Sequence, residues 1–387
     1  MITPNDLDRL VRHPGDGTVA SLYLNVTPPR NYPSELNSLI HARREDLARA
    51  DSMSRQEARA IADLLDRLAQ HVRGLGGPPP HTRVLIIIAS TSDLWMESRL
   101  PVGLPSQLVI APTPYVRPLA ALFDEFPRYG VLVADGRRAR FFVLAFGEVE
   151  GADEMIEDDV PSRARGGGPA VPVAPGVWGG VSAGRIERHI EDHLHRHLRR
   201  AAEHARAALA ARRFQRFIVG GPDNKIIPSL MGHLHSGLRQ ALIGTFHGRP
   251  DDPLPALAAS AIAAGQAWER ERDARRVADL LDASHAGGLA VVGLEPTLEA
   301  LMLGQVHTLM VHDAYRVAGG VCRRDHCLSS YAKACPICGS PMTPTDDLVD
   351  EMVEEAILQG AELAHIAAAP DAFTRLGVGA ILRFRLG

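Results

Sequence analysis

Residues 129–144 read YGVLVADGRRARFFVL, and this stretch decides how the chain divides. Two apolar runs rich in Val, Leu and Phe flank the pair Asp135 and Gly136, which is a strong signal for a β-hairpin. Apolar strand-like runs and segments of helical spacing alternate on both sides of it. The alternation predicts an α/β protein of three α/β domains, with the hairpin opening the second.

The chain before the hairpin predicts a first α/β domain, residues 1–126. Leucine and isoleucine recur at helical spacing between residues 35 and 72, with a break near residues 50–54. Apolar runs predict strands at 19–26, 84–89 and 107–111, and a short helix at 118–126.

The middle domain is predicted to span residues 127–249. An acidic stretch at 148–159 precedes a Gly-, Pro- and Arg-rich stretch at 161–180, and a long loop of that composition is either functional or disordered. The remaining predicted elements are a long helix at about 182–213, a strand at 214–221, a helix at 227–242 and a strand near 243. The predicted buried stripe of the long helix is Ile186, Ile190, Leu194, Leu198, Ala201, Ala205 and Leu209.

Arginines of this loop and helix are candidates for binding RNA, because each phosphate that a basic side chain neutralises releases counterions. The candidates are Arg163, Arg165, Arg185, Arg188, Arg196, Arg199 and Arg200. A solvated helix face, paired with carboxylates of the same helix, is the alternative. His189, His193 and His197 share one face of the helix. Because nothing completes a metal site beside them in sequence, we expect a solvated or RNA-facing stripe.

A third α/β domain is predicted at residues 256–387, with helices on both faces of its sheet. The predicted helices are 256–283, 293–303 and 347–360, and the predicted strands are 289–292, 308–312, 362–366 and 380–386. A cysteine-bearing insertion at 320–343 interrupts this alternation.

The insertion holds all four cysteines of the chain, Cys322, Cys327, Cys335 and Cys338. Two close pairs across a short loop are the spacing of a zinc ribbon, and four thiolates satisfy a tetrahedral Zn²⁺ completely. A closed site leaves no position for water, so we expect the ion to be structural. Disulfides or free thiols are the alternative, and His326 could replace Cys327 as a ligand.

The overall composition describes a globular chain of 387 residues, with 45% hydrophobic and 23% charged residues and a net charge of −4. No apolar run is long enough to cross a bilayer, and no signal-peptide pattern opens the sequence. Clustered cysteines fit a reducing compartment, so we expect a cytoplasmic protein without membrane contact. No phosphate-binding glycine loop with Lys and Ser/Thr is present, so the chain should not bind GTP itself.

The order of these parts resembles the eukaryotic and archaeal class-1 release factor and Pelota superfamily. The resemblance rests on residues 129–136 (YGVLVADG), 178–185 (WGGVSAGR), 291–306 (VVGLEPTLEALMLGQV) and 377–385 (GVGAILRFR). It implies an N-terminal decoding-site domain, a ribonuclease-H-like middle domain and a GTPase-interacting C-terminal domain, and archaeal members carry a zinc ribbon at the equivalent place. The loop for the peptidyl-transferase centre would comprise Trp178, Gly179, Gly180, Val181 and Ser182.

Departures from the superfamily pattern bear on activity. Release factors have glutamine as the third residue of this Gly-Gly-Gln loop, where it positions the water that attacks the peptidyl-tRNA ester, whereas this chain has Val181. Valine offers no side-chain hydrogen bond, so we expect a factor that is not an enzyme. The Asn-Ile-Lys-Ser signature of stop-codon reading is missing near residues 51–54, and residues 113–117 (TPYVR) replace the tyrosine–cysteine element.

The altered loops are similar to those of the Balon type of bacterial hibernation factors within this superfamily. The resemblance implies a monomer that occupies the A site of idle or stalled ribosomes, contacts rRNA and associates with a translational GTPase, elongation factor Tu. Hibernation or rescue under stress is therefore the expected function. A peptidyl-tRNA hydrolase acting on stalled ribosomes is one alternative, and a zinc-dependent RNA-binding protein unconnected with translation is another.

Overall fold

The fold is taken from a computed structural model. It describes residues 2–13, 18–27, 32–49, 54–77, 81–91, 94–157, 180–211, 213–222, 225–367 and 371–385. The chain forms two compact units: unit 1 comprises residues 1–125 and 270–387, and unit 2 comprises residues 126–269. None of the helices in the described ranges has the length and apolarity of a bilayer span.

The N-terminal part of unit 1 is a four-stranded antiparallel sheet with two helices on one face. Its elements are α1 (Pro4–Val11), β1 (Val19–Asn25), α2 (Tyr32–Arg49), α3 (Arg55–Gly74), β2 (Val84–Ser90), β3 (Leu94–Leu100), β4 (Gln107–Ala111) and α4 (Arg117–Glu125). The strand order is β3-β2-β1-β4. Helix α3 begins with a capping box in which Ser54 and Glu57 each accept the other's backbone N–H, so its start is fixed locally.

Strand β1 is the centre of this sheet and is covered on both faces. Leu22 and Leu24 of β1 pack in one core with Leu64 and Leu65 of α3. Successive strand residues point to opposite faces. Tyr23 therefore lies on the other face, where its hydroxyl donates to the carbonyl of Tyr115 at 2.5 Å. This second face is covered by the segment that follows β4.

Unit 2 is a five-stranded sheet between helices. Its elements are β5 (Tyr129–Ala134), β6 (Arg138–Ala145), β7 (Glu148–Glu157), α5 (Gly180–Ala210), β8 (Arg216–Gly221), α6 (Ile226–His233), α7 (Ser236–Ala241), β9 (Leu242–His247) and the first half of α8 (Leu254–His285). The strand order is β7-β6-β5-β8-β9. The pairs β7-β6 and β6-β5 are antiparallel, and β5-β8 and β8-β9 are parallel.

The predicted hairpin is confirmed as β5 and β6. The carboxylate of Asp135 accepts the backbone N–H groups of Arg137 and Arg138 at 2.7 and 2.8 Å, which closes the turn. A Cβ on Gly130 of β5 would lie 2.6 Å from the ring of Phe214, so only glycine lets that ring pack against the strand. The hairpin therefore sets both the sheet register and the close packing of one face.

Two cores flank the sheet of unit 2. Helix α5 covers one face, where Leu198, Ala201 and Ala205 pack with Phe141 and Phe214. On the other face, Leu257 and Ala261 of α8 pack in the second core. The sequence placed the start of the third domain at residue 256, whereas α8 as far as residue 269 belongs to unit 2. The domain limits 1–126, 127–249 and 256–387 stay a prediction.

The C-terminal part of unit 1 is a second four-stranded sheet. Its further elements are β10 (Ala290–Val292), α9 (Leu294–Met302), β11 (Val306–His312), β12 (Gly319–Val321), β13 (Leu328–Ser329), β14 (Thr343–Thr345), α10 (Leu348–Leu358), β15 (Glu362–Ile366), α11 (Asp371–Leu376) and β16 (Val378–Leu382). The order β10-β16-β11-β15 forms the main sheet, and β13-β12-β14 forms a small three-stranded sheet. The small sheet lies between β11 and α10, so the predicted insertion is confirmed.

Several elements differ from the sequence prediction. Strands β3 and β7 were missed, and each pairs with one neighbour at a sheet edge, where charged residues are tolerated. The single helix predicted at 227–242 is two helices, because Leu234 adopts an extended conformation between α6 and α7. The helices α1 and α11 were also missed, and the last strand ends at Leu382 rather than at residue 386.

A buried guanidinium joins the two parts of unit 1. Arg117, the first residue of α4, is 4% exposed. Its Nη1 donates to both carboxylate oxygens of Asp347, at 3.1 and 3.0 Å. Its Nη2 donates to the carbonyls of His312 and Asp313, each at 3.0 Å. Its backbone N–H donates to Asp350 at 2.8 Å.

Tyrosine hydroxyls and backbone groups extend this network to β1. The Tyr115 hydroxyl donates to Asp347 at 2.9 Å, and the Tyr115 backbone N–H donates to Ser21 at 2.9 Å. Because Tyr23 donates in turn to the Tyr115 carbonyl, one continuous set of hydrogen bonds runs from β1 to the N-terminus of α10.

Arg117→Ala should lower the free energy of unfolding by about 3–5 kcal/mol, because it leaves the Asp347 carboxylate buried without its counter-charge. Urea titration followed by circular dichroism measures the change. Arg44→Ala is the matched control, since the ion pair of Arg44 with Asp66 at 2.6 Å is exposed on both sides and is worth at most about 1 kcal/mol. Equal losses in the two variants would contradict a special role for Arg117.

Buried carboxylates outnumber the guanidinium groups that pair with them near the start of α10. The carboxylates are Asp347, Asp350, Glu351 and Glu354, and their partners are Arg117, Arg323 and, at 3.9 Å from Asp347, Arg316. Burial, followed by the charges of Asp347 and Glu351, raises the pKa of Asp350 well above its usual value. A carboxyl with a raised folded-state pKa contributes stability that is complete below its unfolded pKa. That stability is lost as the pH rises through the folded value.

Asp350→Asn should therefore gain stability relative to the unaltered protein as the pH rises from about 5 to about 8, at up to about 1.4 kcal/mol per pH unit. The asparagine oxygen can still accept from the Arg117 backbone N–H. Urea titrations across this range measure the difference. Asp279→Asn, at an exposed position of α8, is the control, and its free energy of unfolding should change with pH as that of the unaltered protein does. A pH-independent difference for Asp350→Asn would overturn the assignment.

Candidate nucleic-acid interface and metal centre

The Gly-Gly segment leads into helix α5. Gly180, Val181 and Ser182 form its first turn, so the helix begins slightly earlier than predicted. Trp178 and Gly179 lie outside the described residues. The first backbone N–H groups of any helix have no intrahelical acceptor, and the helix dipole favours an anion there. Backbone donors of this turn can therefore meet a phosphate or a carbonyl oxygen.

The arginine candidates divide into three groups. Arg196, Arg199 and Arg200 are exposed on α5. Arg185 and Arg188 belong to the same helix, nearer its N-terminus. Arg163 and Arg165 lie outside the described residues. Since α5 carries six arginines against four carboxylates, the helix has an excess of positive charge.

The prediction that the histidines of α5 form a solvated or RNA-facing stripe is wrong at His197. His197 is fully buried, so it faces neither solvent nor RNA. The buried face of α5 is wider than the predicted stripe, because Ala202 and Ala208 also pack in its core. A different pair forms instead: Nδ1 of His195 lies 3.0 Å from Nε2 of His233 on α6.

Three cysteines of the ribbon converge on one point. Side-chain ligand atoms of Cys322, Asp325, Cys335 and Cys338 all lie within 4.8 Å of one another. The Sγ atoms of Cys322 and Cys338 are 3.6 Å apart, and Sγ of Cys335 lies 3.4 Å from Asp325 Oδ2. Cys327 packs beside Cys322 and Cys335 in the same small core. The cluster of cysteines and aspartate could hold a metal ion.

Backbone turns aim these side chains inward. The N–H of Cys322 donates to the carbonyl of Cys327 at 2.8 Å, and the N–H of Gly339 donates to the carbonyl of Cys335 at 2.9 Å. Gly339 has a φ of +72°, which is the left-handed conformation that ends the second turn. His326 also has a positive φ, of 52°, within the first turn. The two turns therefore bring the cysteine side chains together.

The donor set fits a thiophilic cation better than a disulfide. All four cysteines are free thiols, and a disulfide would require sulfurs about 2.05 Å apart. Tetrahedral zinc with Zn–S bonds near 2.3 Å places sulfurs about 3.8 Å apart, close to the separation of Cys322 and Cys338. Burial, followed by the neighbouring Cys335, raises the pKa of Cys327 to about 11. A bound cation would be needed to hold several thiolates so close together.

An ion pair connects the ribbon to α10. Two guanidinium nitrogens of Arg323, the residue after Cys322, donate to the two carboxylate oxygens of Glu351 at 3.2 and 3.0 Å. Glu351 is 7% exposed, so its carboxylate is almost fully shielded from water in this bidentate contact. The ribbon is thereby fixed to the helix that also carries Asp350.

The chain is similar to known release factors. Residues 114–266 match the family model "Bacterial archaeo-eukaryotic release factor family 10". Peptide chain release factor subunit 1 of Pyrococcus abyssi is 25% identical, with 98% of this chain and 97% of that protein covered. The same factor of Archaeoglobus fulgidus is 25% identical, with 98% and 96% covered. The chain is thus similar, over nearly its whole length, to archaeal peptide chain release factors of the release factor and Pelota superfamily.

Solved structures of this superfamily are also similar to the chain. The crystal structure of an archaeal translation termination factor covers 99% of both chains, at 17% identity and a TM-score of 0.28. Dom34 of S. cerevisiae, a translation termination-like factor, covers 75% of this chain and 73% of its own, at 10% identity and a TM-score of 0.39.

In this release-factor-like protein, the family match runs from the segment of Tyr115 and Arg117 to the middle of α8. It therefore includes the whole sheet of unit 2 and helix α5. Sequence reasoning missed Asp325 as a possible ligand, although its place inside the first cysteine pair was a usable signal. It also missed Arg323 and Glu351, because a contact across 28 positions leaves no local pattern.

Proposed function

We propose that this protein is a ribosome-associated translation factor that occupies the A site of idle or stalled ribosomes without reading stop codons. The observation that carries the proposal is its likeness to peptide chain release factors over nearly its whole length, combined with Val181 at the glutamine position of the Gly-Gly-Gln loop. A factor that fits the site but lacks the residue that positions water would block the site rather than hydrolyse the ester.

The proposal assigns three functional parts, with the limits 1–126, 127–249 and 256–387. The mixed strand order β7-β6-β5-β8-β9, with β6 antiparallel to its neighbours, supports a ribonuclease-H-like middle domain. The exposed Arg196, Arg199 and Arg200 support an rRNA contact along α5. A translational GTPase, elongation factor Tu, is the partner we propose for the C-terminal part, by analogy with the Balon type of hibernation factor.

Charge reversal on α5 tests the ribosome contact. Arg196→Glu with Arg199→Glu should weaken co-sedimentation with ribosomes by at least tenfold, because each lost phosphate contact also removes a counterion-release contribution. The slope of log affinity against log salt should become shallower by roughly 1.5–2 for two contacts. Arg270→Glu with Arg275→Glu, two exposed arginines of α8, is the control of equal charge. Equal weakening by both pairs would contradict a contact through α5.

A release assay separates the factor from the hydrolase alternative. Stalled ribosomes that carry labelled peptidyl-tRNA are incubated with the purified chain, and peptide release is counted. We expect no release above background with Val181 in place. Release that Gly180→Ala abolishes would instead assign a peptidyl-tRNA hydrolase.

We propose that the ribbon holds one structural Zn²⁺ through Cys322, Cys327, Cys335 and Cys338. The convergence of three of these thiols and the contact of the fourth with them support this assignment. Asp325 would then accept hydrogen bonds beside the ion rather than bind it. The ion would stabilise a segment too small for a core of its own.

Metal analysis of purified variants tests the four-thiolate set. The unaltered chain should contain one zinc ion, and Cys327→Ser should lower the zinc affinity at least tenfold in competition with a chromophoric chelator, because a thiolate ligand is lost. Asp325→Asn should keep the ion. The reverse pattern would make Asp325 the fourth ligand, and a metal-free unaltered chain would contradict the site.

A further inference from the structure

A cleft of about 590 Å³ lies within unit 1 beside the ribbon. The end of α1, the segment after β4, the ribbon and α10 form its walls. Its apolar lining consists of Val11, Pro112, Val321, Leu328 and Leu358. The volume lies within the range of about 300–1,000 Å³ that small-molecule sites occupy.

A carboxylate that has one oxygen without a hydrogen-bond partner lines this cleft, and Thr113 is the hydrogen-bond partner of the same side chain. Glu354 of α10 is 7% exposed, and its Oε1 accepts no hydrogen bond from any described residue. Buried polar atoms are rarely left unpaired, and such an atom at a cleft wall points to a missing ligand. Burial, followed by the charges of Asp350 and Glu351, raises the pKa of Glu354 well above its usual value. A cationic ligand would offset both costs.

The two arginines of the wall are already paired with other carboxylates, and His13 and His326 are the other basic side chains that line it. Arg323 holds Glu351 through two hydrogen bonds, and Arg12 donates to Asp8 at 2.8 Å. Glu355 of the same wall accepts from Gln359 at 2.7 Å, which brings no positive charge. Of the three glutamates that line the cleft, Glu354 is therefore the one with a buried oxygen left for a ligand.

The shape of the wall favours an organic cation over a metal ion. Within the described ranges, no set of three His, Cys, Asp or Glu ligand atoms converges apart from the cysteine cluster. Apolar side chains line the cleft beside Glu354, and this combination suits a charged nitrogen on an aliphatic stem. We propose that the cleft binds a primary alkylammonium ion, whose nitrogen donates to Glu354 and whose stem lies along Val11, Leu328 and Leu358.

Calorimetric titration of the full chain with 1,5-diaminopentane tests this site. We expect one amine bound per chain, and Glu354→Gln should weaken the affinity at least tenfold, because the amide has no charge. Glu299→Gln removes the same charge at an exposed position of α9 and should leave the affinity unchanged. 1-Pentanol, which has the stem without the charge, should not bind.

A second variant separates loss of the site from loss of the fold. Leu358→Trp fills the cleft without changing its charge, and it should also weaken amine binding at least tenfold. Circular dichroism melting identifies any variant that unfolds. Absence of amine binding to the unaltered chain, or equal binding to Glu354→Gln, would overturn the proposal. Binding of Mg²⁺ but not of the amine, lost in Glu354→Gln, would overturn it in favour of a metal site.

Discussion

The buried pair of Arg117 and Asp347 is the interaction on which unit 1 depends. A guanidinium that is removed from water must have nearly all its donors satisfied, and Arg117 achieves this with one carboxylate and two carbonyls. Each of those acceptors belongs to the C-terminal part of the chain. The pair therefore determines which face of the N-terminal sheet is covered and which part of the chain covers it. A nonpolar contact of the same size would leave that choice less specific.

The ribbon, α10 and the Arg117 network form a continuous chain of contacts. Cys322 sets the knuckle, and the adjacent Arg323 binds Glu351. Glu351 follows Asp350, which accepts the Arg117 backbone N–H. The cysteine cluster is thus linked to β1 through one ion pair and a series of hydrogen bonds. The same helix presents Glu354 to the cleft, so one short acidic segment serves the ribbon, the joint between the sheets and the proposed amine site.

Much of the fold could be predicted from local signals. The run VLIIIAS of β2 and the Asp-Gly turn after β5 are strong enough to predict strands without tertiary information. The edge strand β7, EVEGADEMIE, carries charges that only its pairing with β6 explains. The assignment of residues 254–269 to unit 2 could not be predicted, because a continuous helix gives no sequence signal where its packing partner changes.

The candidate sites also combine features that local sequence predicts with features that depend on tertiary packing. Four clustered cysteines predict a metal site from spacing alone, whereas the convergence of Asp325 with them depends on the turn at His326. Nothing in the sequence distinguishes Glu354 from an ordinary surface glutamate of an amphipathic helix. Its burial results from packing against residues 112–113, more than 240 positions earlier in the chain.

The span between Arg117 and its acceptors has a consequence during synthesis. The hydrogen bonds to Asp347 join residues 230 positions apart. At about 5–20 residues per second, a nascent chain would wait roughly 10–50 s between the emergence of one partner and the other. During that interval Arg117 lacks its carboxylate partner, so the segment that covers the Tyr23 face of β1 is not yet anchored, and chaperones or premature association could act on it.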